Sequence, residues 1–170
     1  LFRDKAADID GVIVTLPNFG DERAVANALR WAKLGVPVLV QAEPDSNKKM
    51  TVADRRDSFC GKISVCNNLR QYGIPFTLTE LHCEAITSKE FAKDLDKFAA
   101  TCRVVKAFRN ARFGAIGART GPFNTVRYSE KILEFSGITI EVIDLSEILT
   151  AAGKVSKSDG GYRSKIAKLK

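Results

Sequence analysis

The sequence predicts an α/β protein with parallel strands alternating with helices and a domain boundary near residue 50. Three observations carry that expectation. Apolar runs of strand length recur along the chain, as at residues 12–17 and 36–40. Segments with apolar residues at helical spacing alternate with them. Gly, Pro, Asn and Asp punctuate nearly every join, as expected for short βα and αβ connections.

Taken in order, Leu1 to Ala7 reads as the end of a helix, and Val12-Ile13-Val14-Thr15-Leu16-Pro17 as the first strand. Asn18-Phe19-Gly20-Asp21 makes a loop at its carboxyl end, and Asp21 is placed to cap the next helix. That helix carries Val25, Ala28, Leu29, Ala32 and Leu34 and stops at Gly35; Val36-Pro37-Val38-Leu39-Val40 is the second strand. Strand, helix, strand makes a right-handed parallel crossover the expected connection. Residues 41–57 are polar and irregular, and a domain boundary is expected near residue 50. Residues 59–72 follow as a helix with Ile63, Cys66 and Leu69 or Arg70 along its stripe, ended by Gly73. Residues 74–79 form the third strand. Ser88 caps a long helix to about Asn110, whose Phe91, Leu95, Phe98, Cys102, Val105 and Phe108 form a core stripe. Residues 138–145 are the fifth strand, after Gly137.

The fourth strand opens the stretch around which the chain is organised, residues 112–128. Phe113, Ala115 and Ile116 predict a buried strand; Gly117 and Gly121-Pro122 break it; a helix restarts around Asn124-Thr125, with Val126, Tyr128, Ile132, Leu133 and Phe135 inward. A strand, a Gly-containing turn and a helix start offer free N–H groups to a polar or anionic ligand, with Arg119 and Arg127 adding charge. The glycine spacing fits neither G-x-G-x-x-G nor G-x-x-x-x-G-K-[ST]. A plain strand-to-helix turn explains it equally well.

The 170 residues carry a net charge of +7, of which residues 153–170 supply +5. That tail, a basic linker or the start of a next helix, argues against nucleic-acid binding, which spreads Lys and Arg over a face with interleaved aromatics. No apolar run reaches the roughly 18 residues of a membrane span, and no signal-peptide pattern opens the chain. Cytoplasmic placement is expected, with no membrane partner. The start at Leu1 leads to the expectation of a fragment of a longer polypeptide. Cys60, Cys66, Cys83 and Cys102 form no C-x-x-C pair, so reduced and mostly buried thiols are expected.

Three constellations could carry chemistry. Glu80, His82 and Glu84 alternate after the third strand, so an extended backbone would turn all three to one side, toward a metal or an acid–base pair. A polar strand-end loop is the favoured account of them. Asn67 and Asn68 sit within a helix, where asparagine is a poor former, and their amides suit sugar hydroxyls; they could equally be plain surface residues. Asn18 lies at the end of the first strand, a preferred ligand position in this architecture.

Residues 10–22, Asp-Gly-Val-Ile-Val-Thr-Leu-Pro-Asn-Phe-Gly-Asp-Glu, and residues 37–42, Pro-Val-Leu-Val-Gln-Ala, resemble the first domain of the L-fucose/L-arabinose isomerase family. Asp57-Ser58-Phe59-Cys60-Gly61, Ser64-Val65-Cys66-Asn67-Asn68-Leu69, Gly117-Ala118-Arg119 and Phe123-Asn124-Thr125-Val126-Arg127 resemble its second domain. The resemblance runs to about residue 149 and implies two small tandem domains with parallel sheets in a three-layer α/β/α arrangement: a remainder of the first domain over 1–50, a second domain over 51–150 and a linker or helix start over 151–170. It implies an aldose–ketose isomerase acting through an enediol. Its divalent metal, typically Mn²⁺, is held by carboxylates and histidine in a C-terminal part beyond these domains. The implied partners are a small sugar and further copies of the subunit. By the same resemblance residues 64–68 are similar to the part that reaches a sugar site at a subunit interface. The expected substrate-binding set is Lys62, Ser64, Cys66, Asn67, Asn68, Arg119 and Asn18, with no catalytic residue and no metal ligand in this chain. The isolated chain is expected to be inactive. The competing reading is a non-catalytic α/β sugar-binding or regulatory module.

Overall fold

The computed structural model describes residues 2–169. Among these residues five strands alternate with helices and the strand pairings are parallel; the chain divides into two compact units, residues 1–107 and 108–170.

The first unit holds a three-stranded sheet in the order β1-β2-β3, with β1 Val12–Leu16, β2 Val38–Ala42 and β3 Thr77–Leu78. β1 and β2 pair along their full length, from Val12 opposite Val38 to Leu16 opposite Ala42. The alternation of side chains across a strand sorts the core into two layers. Val14, Leu16, Val38, Val40 and Ala42 meet Ala26 of α1 (Glu22–Ala32) and Val65 and Leu69 of α2 (Ser58–Gln71). Leu39, on the other face, meets Phe91, Phe98 and Cys102 of α3 (Lys89–Phe108). Helices on both faces of a parallel sheet make the expected three layers.

Local chemistry sets the helix limits. Asp21 caps α1, its carboxylate accepting from the Ala24 N–H at 3.1 Å. Ser88 does the same for α3 through the Phe91 N–H at 3.0 Å. Gly11 lies so close to α3 that an added Cβ would stand 2.5 Å from Cys102 Sγ and 3.0 Å from the Phe98 ring.

The boundary expected near residue 50 does not coincide with the division into units. β2 on one side of it pairs with β3 on the other, and α2 packs on both β1 and β2. The polar stretch between is an internal connection tied by side chains. Asp45 Oδ1 accepts from the N–H groups of Arg56 (2.6 Å) and Asp57 (3.2 Å), and Ser58 Oγ donates to the Glu43 carbonyl. At the start of the chain the expected helix end is a short 3-10 turn over Ala6–Asp8, with Leu1 outside the described residues.

The second unit pairs β4 (Arg112–Ile116) with β5 (Thr139–Ile143), and α4 (Glu130–Phe135) packs against β5. α5 (Leu145–Gly153) and α6 (Gly160–Leu169) follow, so most of the basic tail is helical. Two expectations are corrected here. The helix foreseen at Asn124-Thr125 is a single 3-10 turn, Asn124–Val126, and the α-helix starts at Glu130 behind a Ser129 cap. The strand foreseen as buried is exposed at Phe113 and Ile116, and the residues foreseen as inward (Val126, Tyr128, Ile132 and Phe135) are exposed too; Leu133 is half-buried. Two strands and short helices offer too little surface to cover those side chains within the unit.

Candidate functional site

In the first unit, polar groups gather where the strands end. The loop after β1 carries Asn18 and Phe19, β2 ends through Gln41 into Glu43, and the turn after β3 supplies residues 79–84. The amino-terminal half of α2 stands against these turns. Gly61 permits that approach, since a Cβ there would lie 3.2 Å from the Phe19 Cα.

Lys62 is the centre of the cluster. Only 4% exposed, its ammonium donates to Thr79 Oγ1 at 2.7 Å and to the His82 carbonyl at 2.9 Å. Burial lowers its pKa, while Cys66, Cys83, Glu84 and Asp94 pull in the opposite direction. Glu84 is buried below the same turn. Its Oε1 accepts from the Leu81 N–H at 2.9 Å, its carbonyl accepts from Gln41 Nε2, and its backbone N–H donates to the Ala42 carbonyl at 2.9 Å. Glu84 Oε2 and Gln41 Oε1 have no hydrogen-bond partner among the described residues. Asp94, from α3, closes the turn from the other side by accepting from the Glu80 N–H at 2.7 Å. Burial pushes the Cys66 and Cys83 thiols up, with Lys62 opposing the shift at both.

The residues expected to bind substrate do not come together in one group. Lys62 and Cys66, one helical turn apart, face inward, where Cys66 packs on the apolar core. Asn67 is exposed on the outer face with Ile63, whereas half-buried Asn68 turns its amide back to the Ser64 carbonyl at 3.1 Å. The inner stripe of α2 thus runs through Ser58, Gly61, Lys62, Val65 and Leu69, and not through Ile63 or Arg70 as the apolar spacing had indicated. Asn18 is exposed beside the start of α2, its amide donating to the Phe19 carbonyl at 3.0 Å.

Arg119 belongs to the second unit and is committed there. Its guanidinium lies over the Tyr128 ring at 4.0 Å, donates to the Tyr128 carbonyl at 3.3 Å and pairs with Glu130. The turn after β4 nevertheless borders an open cavity of about 420 Å³ whose lining includes Arg119, Thr120, Val126 and Val142.

The alternating trio after β3 does not share one side. β3 ends at Leu78, and the bends that follow bury Glu84 but leave Glu80 and His82 exposed, with the His82 ring tilted on Phe59 at 5.2 Å between centroids. Among the described residues no three His, Cys, Asp or Glu side chains converge as a metal site would require. Sequence reasoning also missed Gln41 and Asp94 as parts of the cluster. The available signal for the first was a lone amide inside the otherwise apolar run Val38-Leu39-Val40-Gln41-Ala42.

Fold and site together define a parallel α/β domain with its polar groups collected at the carboxyl ends of the strands, where such sheets take small ligands. Residues 1–109 match the fucose/sulfoquinovose isomerase N-terminal domain, and with more than half its length matched the chain belongs to that family. The match ends close to the division between the units, so residues 57–69, whose resemblance pointed to a second domain, fall within the N-terminal one. No curated protein matches the chain. No helix among the described residues is long and apolar enough to cross a membrane.

Proposed function

We propose that this chain forms the amino-terminal portion of a cytoplasmic, metal-dependent aldose–ketose isomerase that acts as a homo-oligomer. In this role it supplies sugar contacts and subunit packing, while carboxylates and histidine elsewhere in the parent protein hold Mn²⁺. The observation that carries the reading is the family match over residues 1–109. The geometry adds two supports. The exposed amide of Asn67 and the loop at Asn18 offer donors and acceptors for sugar hydroxyls. The buried Lys62 ammonium holds the turn at residues 79–84, giving that end of the sheet a fixed shape.

Two measurements on the purified chain test this. Titration with L-fucose, followed by amide NMR shifts, is expected to perturb residues 18 and 64–68, and Asn67→Ala is expected to weaken that response. A response absent from those segments would remove the chain from substrate binding. Offered aldoses with Mn²⁺, the chain is expected to form no ketose. Chelator-sensitive turnover would instead place the metal chemistry within this chain and overturn the division of labour.

A further inference from the structure

At the amino-terminal ends of β2 and β3, three depressions of the first unit adjoin. One, of about 260 Å³, is lined by Pro37, Pro75, Phe76 and Val105, with Thr77 as its polar side chain. The Thr77 hydroxyl is already committed to the Val38 carbonyl at 3.1 Å. A second, of about 280 Å³, shares Val36, Val38 and Pro75 with the first and extends to Leu29, Leu34 and Tyr72. A third, of about 360 Å³, shares Pro75 and Phe76 with the first. Exposed Pro75 lines all three, so they form one largely apolar trough. Its charge has one sign. Arg30 and Lys33 line the second depression and Arg70 the third, all three are exposed, and no acidic residue lines any of the depressions. The Arg30 guanidinium lies over the Tyr72 ring at 4.9 Å. Among the described residues none of these three cations pairs with a carboxylate.

A cation in the last turn of a helix is favourable by itself, which accounts for Arg30 in α1 and Arg70 in α2 taken singly. It does not account for an apolar trough between them. Unpaired cations around apolar surface select a partner that brings apolar groups and carboxylates together, and they repel a basic one. Three adjoining depressions suit a short run of side chains better than one compact ligand, and the first has room for one large apolar anchor. We propose that this trough docks an acidic peptide segment of a partner protein. The segment seats a leucine or aromatic side chain beside Phe76 and Val105, and its carboxylates face Arg30, Lys33 and Arg70. The surface goes beyond the isomerase reading and does not rest on it.

The test is an amide NMR titration of the ¹⁵N-labelled chain, at low salt, with the capped peptide acetyl-Glu-Glu-Leu-Trp-Glu-Glu-amide. Saturable shifts are expected at residues 29–38, 70–77 and 105. Binding is expected to weaken by about tenfold or more when lysines replace the glutamates, and likewise when Ala-Ala replaces Leu-Trp. Lys33→Gln and Arg70→Gln, at exposed positions, are each expected to weaken binding about threefold, the range of an exposed ion pair, and to flatten its salt dependence. Pro75→Glu sets a carboxylate where the depressions meet and is expected to abolish binding while leaving the signals of residues 12–16 and 79–84 in place. Absence of saturable shifts, equal binding of the lysine peptide, or glutamine variants that bind like the parent would overturn the proposal. Phenylacetate binding as tightly as the peptide would assign the trough to a small apolar acid. Concentration-dependent shifts of the same residues in the free chain would assign it to a second copy. Either result overturns the peptide site.

Discussion

Lys62 shows how one residue can cost the fold and still hold it together. Burying an ammonium is unfavourable, and its lowered pKa records that cost. Yet its two hydrogen bonds fix Thr79 and the His82 carbonyl, and its charge faces a buried carboxylate at Glu84. Replacing Lys62 by Met removes the cost but strands those partners. A buried polar group left unsatisfied costs about 1–3 kcal/mol, so Lys62→Met is expected to be destabilising by that order in urea unfolding. The pH dependence follows from the direction of the shift. Between the lowered folded pKa and the ordinary 10.5, the unfolded chain binds the extra proton, so stability contributed by Lys62 rises as pH rises through that window. The stability gap between the parent protein and Lys62→Met is therefore expected to widen from neutral pH toward pH 10. A gap that stays flat would mean that the ammonium is not desolvated. Burial raises the part-buried Cys66 and Cys83 thiols, and loss of the Lys62 charge that opposes this raises them further in the variant, which lowers the variant's stability with rising pH and widens the gap in the same direction.

At the scale of elements, the packing of α3 on the sheet rests on the absence of a side chain at Gly11. A Cβ there meets Cys102 Sγ at 2.5 Å, deep inside normal contact. Gly11→Ala is expected to destabilise by roughly 1–3 kcal/mol, the usual range for overpacking. Cys102→Ala removes the clashing sulfur, so the double variant is expected to recover part of the loss. A coupling of about 1 kcal/mol in a double-mutant cycle would confirm the contact, and strict additivity would refute it. The same elements show what the sequence could and could not reveal. The caps Asp21 and Ser88 and the α3 stripe through Phe91, Phe98 and Cys102 were legible because capping and helical periodicity are local properties, whereas Phe108, foreseen in the same stripe, is exposed at the helix end. The face of α2 was not, because hydropathy sends a lysine outward and an isoleucine inward, whereas Lys62 is buried and Ile63 exposed. What reverses them is nonlocal: acceptors at Thr79 and His82 arrive from the turn after β3. Glu84 was illegible for the same reason, since a carboxylate in a polar loop reads as solvated until the Leu81 N–H reaches it and Gln41 holds the Glu84 carbonyl.

For the whole molecule, the two units differ in how much apolar surface each buries within the chain. Among the described residues, nearly all the buried hydrophobic ones belong to the first unit, and Ile138 alone represents the second. In the second unit Ile132, Phe135, Val142 and Leu149 remain exposed, although their spacing is that of a core. A parallel pair of strands with open faces is unusual, because parallel sheets are ordinarily covered on both sides. Local stability follows buried apolar contact, since burial is the main favourable term and opening frees the backbone entropy. Native-state hydrogen exchange should therefore separate the units. Amides of β2 and of α3 near Phe98 are expected to exchange only through near-global opening of the first unit. Those of β4, β5 and α4 are expected to exchange faster by at least ten-fold, through an opening that leaves the first unit intact. Urea should move the two sets differently, with the smaller dependence in the second unit, because its opening exposes less new surface. A single exchange free energy shared by β2 and β5 would instead show that the units open as one cooperative body.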